Sequence, residues 1–472
     1  MSSLPPGPGE PPALQLVRWL TRPIAFLEEG RRRYGDAFSV RFPGFERPMV
    51  IVSDPEVVKA LYTTSENGLP PGRSLSLLPV LGADSVLLLE GPAHLERRKL
   101  MLPPFHGERM RSYESIMRAA SERQIERWPV DQPFALHPHM QAITLEVILR
   151  AVFGVSDPER GDALRAQLPL LLGETSSAGL QMRVLLYRRL RRGRDPMARL
   201  QEISRGIDAL LFEEIAERRA AGDVGEREDI LSLLMSARFD DGSAMGDQEL
   251  RDQLLTLLLA GHETTATALA WAFDLLLRHP AELGRLVEAV DAGEEEYPRA
   301  VAREALRLRP VVPIAGRRLA RELRAGGLDL PVGTDVAPSI WLTHTKADLY
   351  PEPYAFRPER FLDGPPTGYA WIPFGGGIRR CLGASFAEME MRIVLETILR
   401  DRVLSSADGR AEHPVRRNVT LSPRHGTVVR ARPRGRPSRL AGDGARAGDP
   451  HAADPQGVLA GAGAGADAAG AV

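Results

Sequence analysis

Apolar positions recur every three to four residues along most of the chain, the spacing of helices that bury one face. It predicts helices over 14–34, 56–62, 93–101, 108–127, 140–153, 198–221, 230–237, 299–308 and 384–400. The longest spans 247–279 and stops at Pro280. At 1.5 Å per residue it is about 50 Å long, enough to cross a whole domain. Alternation with period two marks strands at FSVRF and PMVIV, within 37–52. Short strand-like pieces with turns fill 317–339 and 418–431. No repeat or Pro/Gly/Ser linker interrupts the body. The pattern predicts a mainly α fold with a minor β-sheet, in a single large domain over 13–433. Residues 1–12 (MSSLPPGPGEPP) read as a proline-rich leader. Residues 434–472, mostly Ala, Gly, Asp, Arg and Pro without an aromatic, read as a disordered tail that buries too little apolar surface to offset its ordering entropy.

Composition narrows the function. Apolar residues are 43% of the chain, enough for a sizeable core. A net charge of −1 gives no electrostatic case for nucleic acid. Only Lys59, Lys99 and Lys346 are lysines, a bias expected of a GC-rich genome and not of phosphate recognition. No run of about 18 apolar residues exists, so no transmembrane anchor is expected. The first apolar run, 13–20, is broken by Arg18 and follows the leader, unlike a signal peptide. A cytoplasmic location is the expectation.

There is one cysteine, Cys381, within FGGGIRRCLG. That excludes an intramolecular disulfide, a zinc finger and a cysteine-ligated iron–sulfur cluster. A lone cysteine is ordinarily a small buried hydrophobe. Here glycines and arginines precede it and a helix is predicted to follow. Small residues admit a flat ligand, and helix N–H groups with nearby cations hold a thiol as thiolate. An axial haem ligand needs those properties.

Three further constellations stand out. The long helix carries LLLAGHETTATAL, where Ala260, Gly261, Glu263 and Thr264 suggest a local groove with a hydroxyl and a carboxylate that handle protons. His262–Glu263 does not begin a zinc-protease HExxH, because Ala266 replaces the second histidine. Glu304 and Arg307 share a helix face, and Arg360 lies in FRPERF; a buried Glu304 bridging both arginines would clamp the loop before Cys381. His94 and Arg98 lie one turn apart with Arg97 and Lys99 beside them, a solvated basic face or an anion site.

The cysteine loop, the AGHETT segment, Glu304/Arg307 and PERF, in this order and spacing, resemble the cytochrome P-450 family of haem-thiolate monooxygenases over about 14–433. The 100–110 run, LMLPPFHGERM, is similar to a bacterial group that includes fatty-acid and terpenoid hydroxylases. The resemblance implies haem b between the long central helix and the cysteine loop and helix. Cys381 would ligate the iron, with backbone N–H groups near Gly383 and Ala384 on its sulfur. Phe374 and Gly377 would shape the loop. His94, Arg98, Arg379 and Arg317 would hold the propionates, with the register between Arg317 and Arg318 open. Glu263 and Thr264 would relay protons for O2 activation. Leu87, Ala260, Val312, Ile314 and Val419 would line the pocket for a small hydrophobic substrate. A ferredoxin or flavodoxin with its reductase would supply electrons, docking near Arg97, Lys99 and Arg380. An isomerase or dehydratase acting without O2, or a haem sensor or carrier, are the alternatives; intact Glu263 and Thr264 weigh against the isomerase.

Overall fold

A computed structural model describes residues 4–43, 45, 47–64, 67–70, 78–107, 109–154, 158–176, 197–366, 368–417 and 419–435. The compact unit ends at Arg434. Arg434 belongs to it: its N–H donates to Asp401 O at 2.8 Å and its guanidinium pairs with Asp291. Beyond Gly435, the expected tail lies outside the described residues.

The proline-rich segment is hydrogen-bonded to the body. The Ser39 N–H donates to Pro6 O (3.0 Å), Ser39 Oγ to Pro5 O (2.7 Å) and Gln15 Nε2 to Pro8 O (3.1 Å). Proline cannot donate, but its carbonyl still accepts, so donors from the body tie this stretch down. Helix α1 (Pro12–Thr21) and helix α2 (Pro23–Tyr34) replace the single helix expected over 14–34. Pro23 brings no N–H and pushes Arg22 out of helical geometry (φ −141°, ψ 60°).

Strands β1 (Ala37–Val40) and β2 (Met49–Val52) follow, then α3 (Pro55–Thr63), capped by Asp54, which accepts from the Glu56 and Val57 N–H groups. Next come α4 (Gly91–Met101), α5 (Arg109–Ile125), β3 (Phe134–Ala135), α6 (Leu136–Phe153), α7 (Pro158–Ser176), α8 (Ala198–Ala221) and α9 (Ile230–Ser236). The long helix, α10, is Asp247–Arg278, and α11 (Pro280–Ala292) starts on the proline that ends it. The second half holds α12 (Glu296–Leu308), β4 (Arg317–Arg318), β5 (Leu323–Ala325), β6 (Leu328–Leu330), β7 (Asp335–Pro338), α13 (Ile340–His344), α14 (Ala384–Asp401), β8 (Arg402–Ser406), β9 (Pro414–Arg417), β10 (Thr420–Pro423) and β11 (Val428–Pro433).

The sheets are small. The largest has the order β1-β2-β7-β4, with β2 and β7 parallel. The others are β3-β11-β8 and the pairs β9–β10 and β5–β6. Helix α10 is buried nearly throughout and lies along α6, with α12 and α14 also packed on it. Sequence periodicity found α10 but not α7, α11 or α13. Helix α7 contains Pro169, α11 begins on Pro280, which reads as the stop of α10, and α13 is a single short turn.

A buried carboxyl on α14 stands apart from the paired ones. Glu390 on α14 is 2% exposed and its Oε1 has no partner among the described residues, so burial pushes its carboxyl well above the usual range. It is held neutral in the fold but ionises in the unfolded chain, so its contribution is fullest below the ordinary carboxylate range and is lost as pH rises. Glu390→Gln is expected to raise the melting temperature, by an amount that grows from about pH 5.5 to about pH 8. A melting series of both proteins over that range checks this; a gap independent of pH would refute it.

Candidate active site

The loop before α14 is pressed against α3. Gly375 and Gly377 have φ of +68° and +65°, the region glycine favours. A Cβ on Gly377 would collide with the Tyr62 carbonyl, so this approach needs glycine. The Cys381 N–H donates to Phe374 O at 2.9 Å and closes the loop. Phe374 stands edge-on to Trp371, with centroids 5.9 Å apart. Cys381 is accessible, yet protein surrounds it closely enough that burial raises its thiol pKa. The Gly383 N–H and the charges of Arg380 and Arg98 act in the opposite direction. The thiol therefore lies at the floor of a recess, at the start of a helix.

Beside it the chain gathers cations. His94 and Arg98 on α4, Arg317 on β4 and Arg379 converge: burial first, then the charges of Arg379, Arg98 and Arg317, push the His94 imidazole down to about 4. His94 is 2% exposed and its Nδ1 has no hydrogen-bond partner among the described residues. Arg379 donates to Leu89 O at 2.5 Å, and Arg317 stacks on Tyr62, 5.4 Å from its centroid. Among the described residues no carboxylate pairs with Arg98 or Arg317. Arg318 points the other way, to Asp335 at 2.8 and 2.9 Å, as strand alternation requires. Arg317 is thus the inward residue of the pair. Of the cations expected to dock a partner, Arg97 is committed to Glu249 (2.5 Å) and Lys99 to Asp240 (2.5 Å), while Arg380 is exposed.

The middle of α10 is open where the rest is buried. Ala260 is exposed, and Thr264 Oγ1 donates back to the Ala260 carbonyl at 2.7 Å. Ile148 limits the space at Gly261, where a Cβ would meet its Cδ1 at 3.3 Å. Glu263 turns toward a cavity of about 670 Å³, also lined by Gln141, His262 and Arg417. Burial raises the Glu263 carboxyl, while the hydrogen bond from Gln141 Nε2 (2.5 Å) and the charge of Arg417 oppose that. His137 lies 3.9 Å from Glu263, and burial lowers its pKa to about 4. Sequence reasoning missed Gln141 and His137, which α6 supplies from over a hundred residues upstream.

The pocket candidates scatter more. Leu87 is part-buried before α4; Val312 and Ile314 are part-buried between α12 and β4. Val419 is 46% exposed between β9 and β10.

The clamp is dense. Arg307 and Glu304 are both fully buried and form a double ion pair, 2.7 Å at each contact. Arg307 also donates to His344 O (2.8 Å), Pro353 O (2.7 Å) and Ala355 O (3.0 Å), and Glu304 accepts from the Arg357 N–H at 2.9 Å. Arg360 is the looser third member, 3.5 Å from Glu304. His344, unmarked by any motif, extends the network: its Nδ1 lies 3.2 Å from Arg307 O and its Nε2 accepts from the Ile372 N–H at 2.8 Å. Burial lowers its pKa to about 3, so it serves as a neutral strut. The Tyr350 hydroxyl donates to Ala370 O at 3.0 Å. The clamp thus reaches the residues that lead into the cysteine loop.

Three features fit a flat cofactor with a thiolate-seeking metal and an anionic edge, which is haem: an accessible thiol on a glycine-rich loop, a buried histidine nitrogen without a hydrogen-bond partner, and the guanidinia of part-buried Arg98 and buried Arg317 without a carboxylate partner, each among the described residues. The comparisons with known proteins agree. Residues 5–428 match the family model described as Cytochrome P450. The chain is 42% identical over 438 residues to a Mycobacterium bovis protein named "Putative cytochrome P450 135B1", covering 91% of each. The fold matches the crystal structure of the cytochrome P450DA heme domain with a TM-score of 0.80, at 23% identity, covering 92% of this chain and 99% of that one. It also matches a retinoic acid-bound cyanobacterial CYP120A1, with a TM-score of 0.74 at 25% identity, covering 92% of this chain and all of that one. The fold and recess define a haem-thiolate protein. The chain belongs to the cytochrome P450 family. As such it is an oxidoreductase of the monooxygenase class that uses haem, O2, an organic substrate and a redox partner. Among the described residues no helix is long and apolar enough to cross a membrane.

Glu304→Ala would leave the Arg307 guanidinium buried without its countercharge, a loss of about 3–5 kcal/mol. It is expected to lower the melting temperature sharply and release haem, with partial recovery in Glu304→Ala/Arg307→Met. Melting and haem-to-protein absorbance ratios check this; a single variant as stable and haem-loaded as the parent would refute it.

Proposed function

We propose that this protein inserts one atom of O2 into an apolar organic molecule of fatty-acid or terpenoid type, with electrons from a separate ferredoxin or flavodoxin and its reductase. The substrate class is carried by the apolar character of Leu87, Ala260, Val312 and Ile314. The retinoic acid in the cyanobacterial structure, an apolar chain ending in a carboxylate, supports it. The reaction balances as R–H, O2, two electrons and two protons giving R–OH and water.

Bound haem supplies the iron centre at which O2 is activated. Cys381 would be its thiolate ligand, with the Gly383 N–H tempering the charge on the sulfur. Arg98, Arg317 and Arg379 would hold the propionates, and neutral His94, with its Nδ1 buried and unpartnered among the described residues, would add a donor there. Glu263, its carboxyl raised by burial, is oriented by Gln141 and takes protons from water in the adjoining cavity. Thr264 passes them on through the hydroxyl now turned to the Ala260 carbonyl. Exposed Arg380 offers a cation to an acidic electron donor near the thiolate.

The reduced protein under carbon monoxide is expected to show the strongly red-shifted Soret band of a thiolate-ligated haem, and Cys381→Ala to lose it. A histidine-like band in the parent would overturn the ligand assignment. Turnover that continues without O2 would overturn the oxygenase reading.

Thr264→Ala is expected to keep that band and continue to consume reductant. Product should fall by on the order of 10², with the electrons recovered as hydrogen peroxide. Parallel measurement of product, peroxide and reductant checks this; unchanged coupling would remove Thr264 from the relay.

A further inference from the structure

Two turns before its open segment, α10 carries a second polar group that the chemistry above does not use. Gln253 is 0% exposed. Its Nε2 donates to Asp84 O and its Oε1 accepts from the Val86 N–H at 3.0 Å. One side-chain amide therefore pairs with the backbone two residues apart, as a neighbouring strand would. The adjacent residues add to the seam. Asp252 accepts from the Asp84 N–H at 3.0 Å, and the Ser85 and Thr256 hydroxyls lie 2.7 Å apart, both buried. Gly82, at φ +82°, passes so close that a Cβ there would strike the Asp252 carboxylate.

The loop is held at its other end too. Leu89 O accepts from Arg379, beside Cys381. Leu87 and Leu88 lie between the two anchors, part-buried against the main core. The same helix that presents Ala260 and Thr264 thus also sets the position of this apolar stretch. Each buried partner left unmade would be costly, so the register is tightly determined.

We propose that Gln253 is a specificity-determining positioning residue: by gripping the backbone of 84–86 it fixes Leu87 and Leu88 as one rigid wall of the substrate pocket above the thiolate recess. The proposal rests on the haem-thiolate reading. A preformed wall binds ligands that fill the pocket without ordering itself first, and leaves small ligands unaffected.

The test uses the full haem-loaded chain and two probes that coordinate haem iron, imidazole and the bulkier 4-phenylimidazole, titrated spectroscopically against the parent, Gln253→Leu and Thr256→Val. In both variants imidazole affinity is expected to stay within about twofold, while 4-phenylimidazole weakens by about tenfold. Hydrogen exchange at the Val86 amide, which does not depend on haem, is expected to accelerate at least about tenfold in Gln253→Leu. Thr256→Val removes only the hydroxyl contacts, so it carries the test if Gln253→Leu fails to fold. An unchanged ratio of the two affinities, with normal spectral shifts, overturns this proposal alone. Absence of any imidazole shift in the parent overturns the haem reading and this proposal with it, although the Val86 exchange would still report on the anchor.

Discussion

A guanidinium fully removed from water must have its donors satisfied, and Arg307 meets that demand in a way that organises the second half of the chain. Its charge is answered by Glu304 one turn away. Its remaining donors reach the carbonyls of His344, Pro353 and Ala355, which no regular secondary structure would otherwise hold. His344 and Tyr350 carry the constraint to Ile372 and Ala370. From there the loop turns on its glycines, rests on Tyr62 and delivers Cys381 to the start of α14. The position of one sulfur thus depends on a buried ion pair on another helix. Replacing such a pair with apolar residues is often tolerated for stability, but apolar residues could not hold three carbonyls in place.

The contrast between paired and unpaired arginines is as informative. Arg218 is buried against Glu214 of its own helix and Asp229 beyond it, and Arg251 against Asp208 of another helix, as a closed protein requires. Part-buried Arg98 and buried Arg317 have no carboxylate partner among the described residues, and they lie beside a neutral histidine and an accessible thiol. Positive charge withdrawn from water without a countercharge is costly, so a region that gathers it is built for an anionic ligand.

Helix α10 divides polar work along its length. Asp252, Gln253 and Thr256 hold a loop; Glu263 and Thr264 face open space. Seven to twelve residues separate the groups, about two to three turns, so structural and reactive groups can share one rigid rod without competing for the same partners. The reactive pair is split in turn: Glu263 looks toward a cavity shared with Gln141 and Arg417, whereas the Thr264 hydroxyl turns back on its own helix.

The helical character, the extents of α8 and α10 to within a residue, and the residues of the cysteine loop and the Glu304–Arg307 pair were legible in the sequence. Each is local: a 3.6-residue period, a proline stop, a run of glycines, two charges on one face. What could not be read is what depends on distant partners. That Arg317 and not Arg318 turns inward was decided by which strand face meets Asp335. His344 and Gln141 became struts only when folding brought Arg307, Ile372 and Glu263 to them. The proline-rich start was legible only as a leader, and it is tied to the body because its carbonyls accept from Ser39 and Gln15. The sequence determined which chemical groups were available and which helices would carry them. The tertiary structure decided which charges went unanswered and which found partners, because burial and pairing are properties of the space between elements and not of any one element.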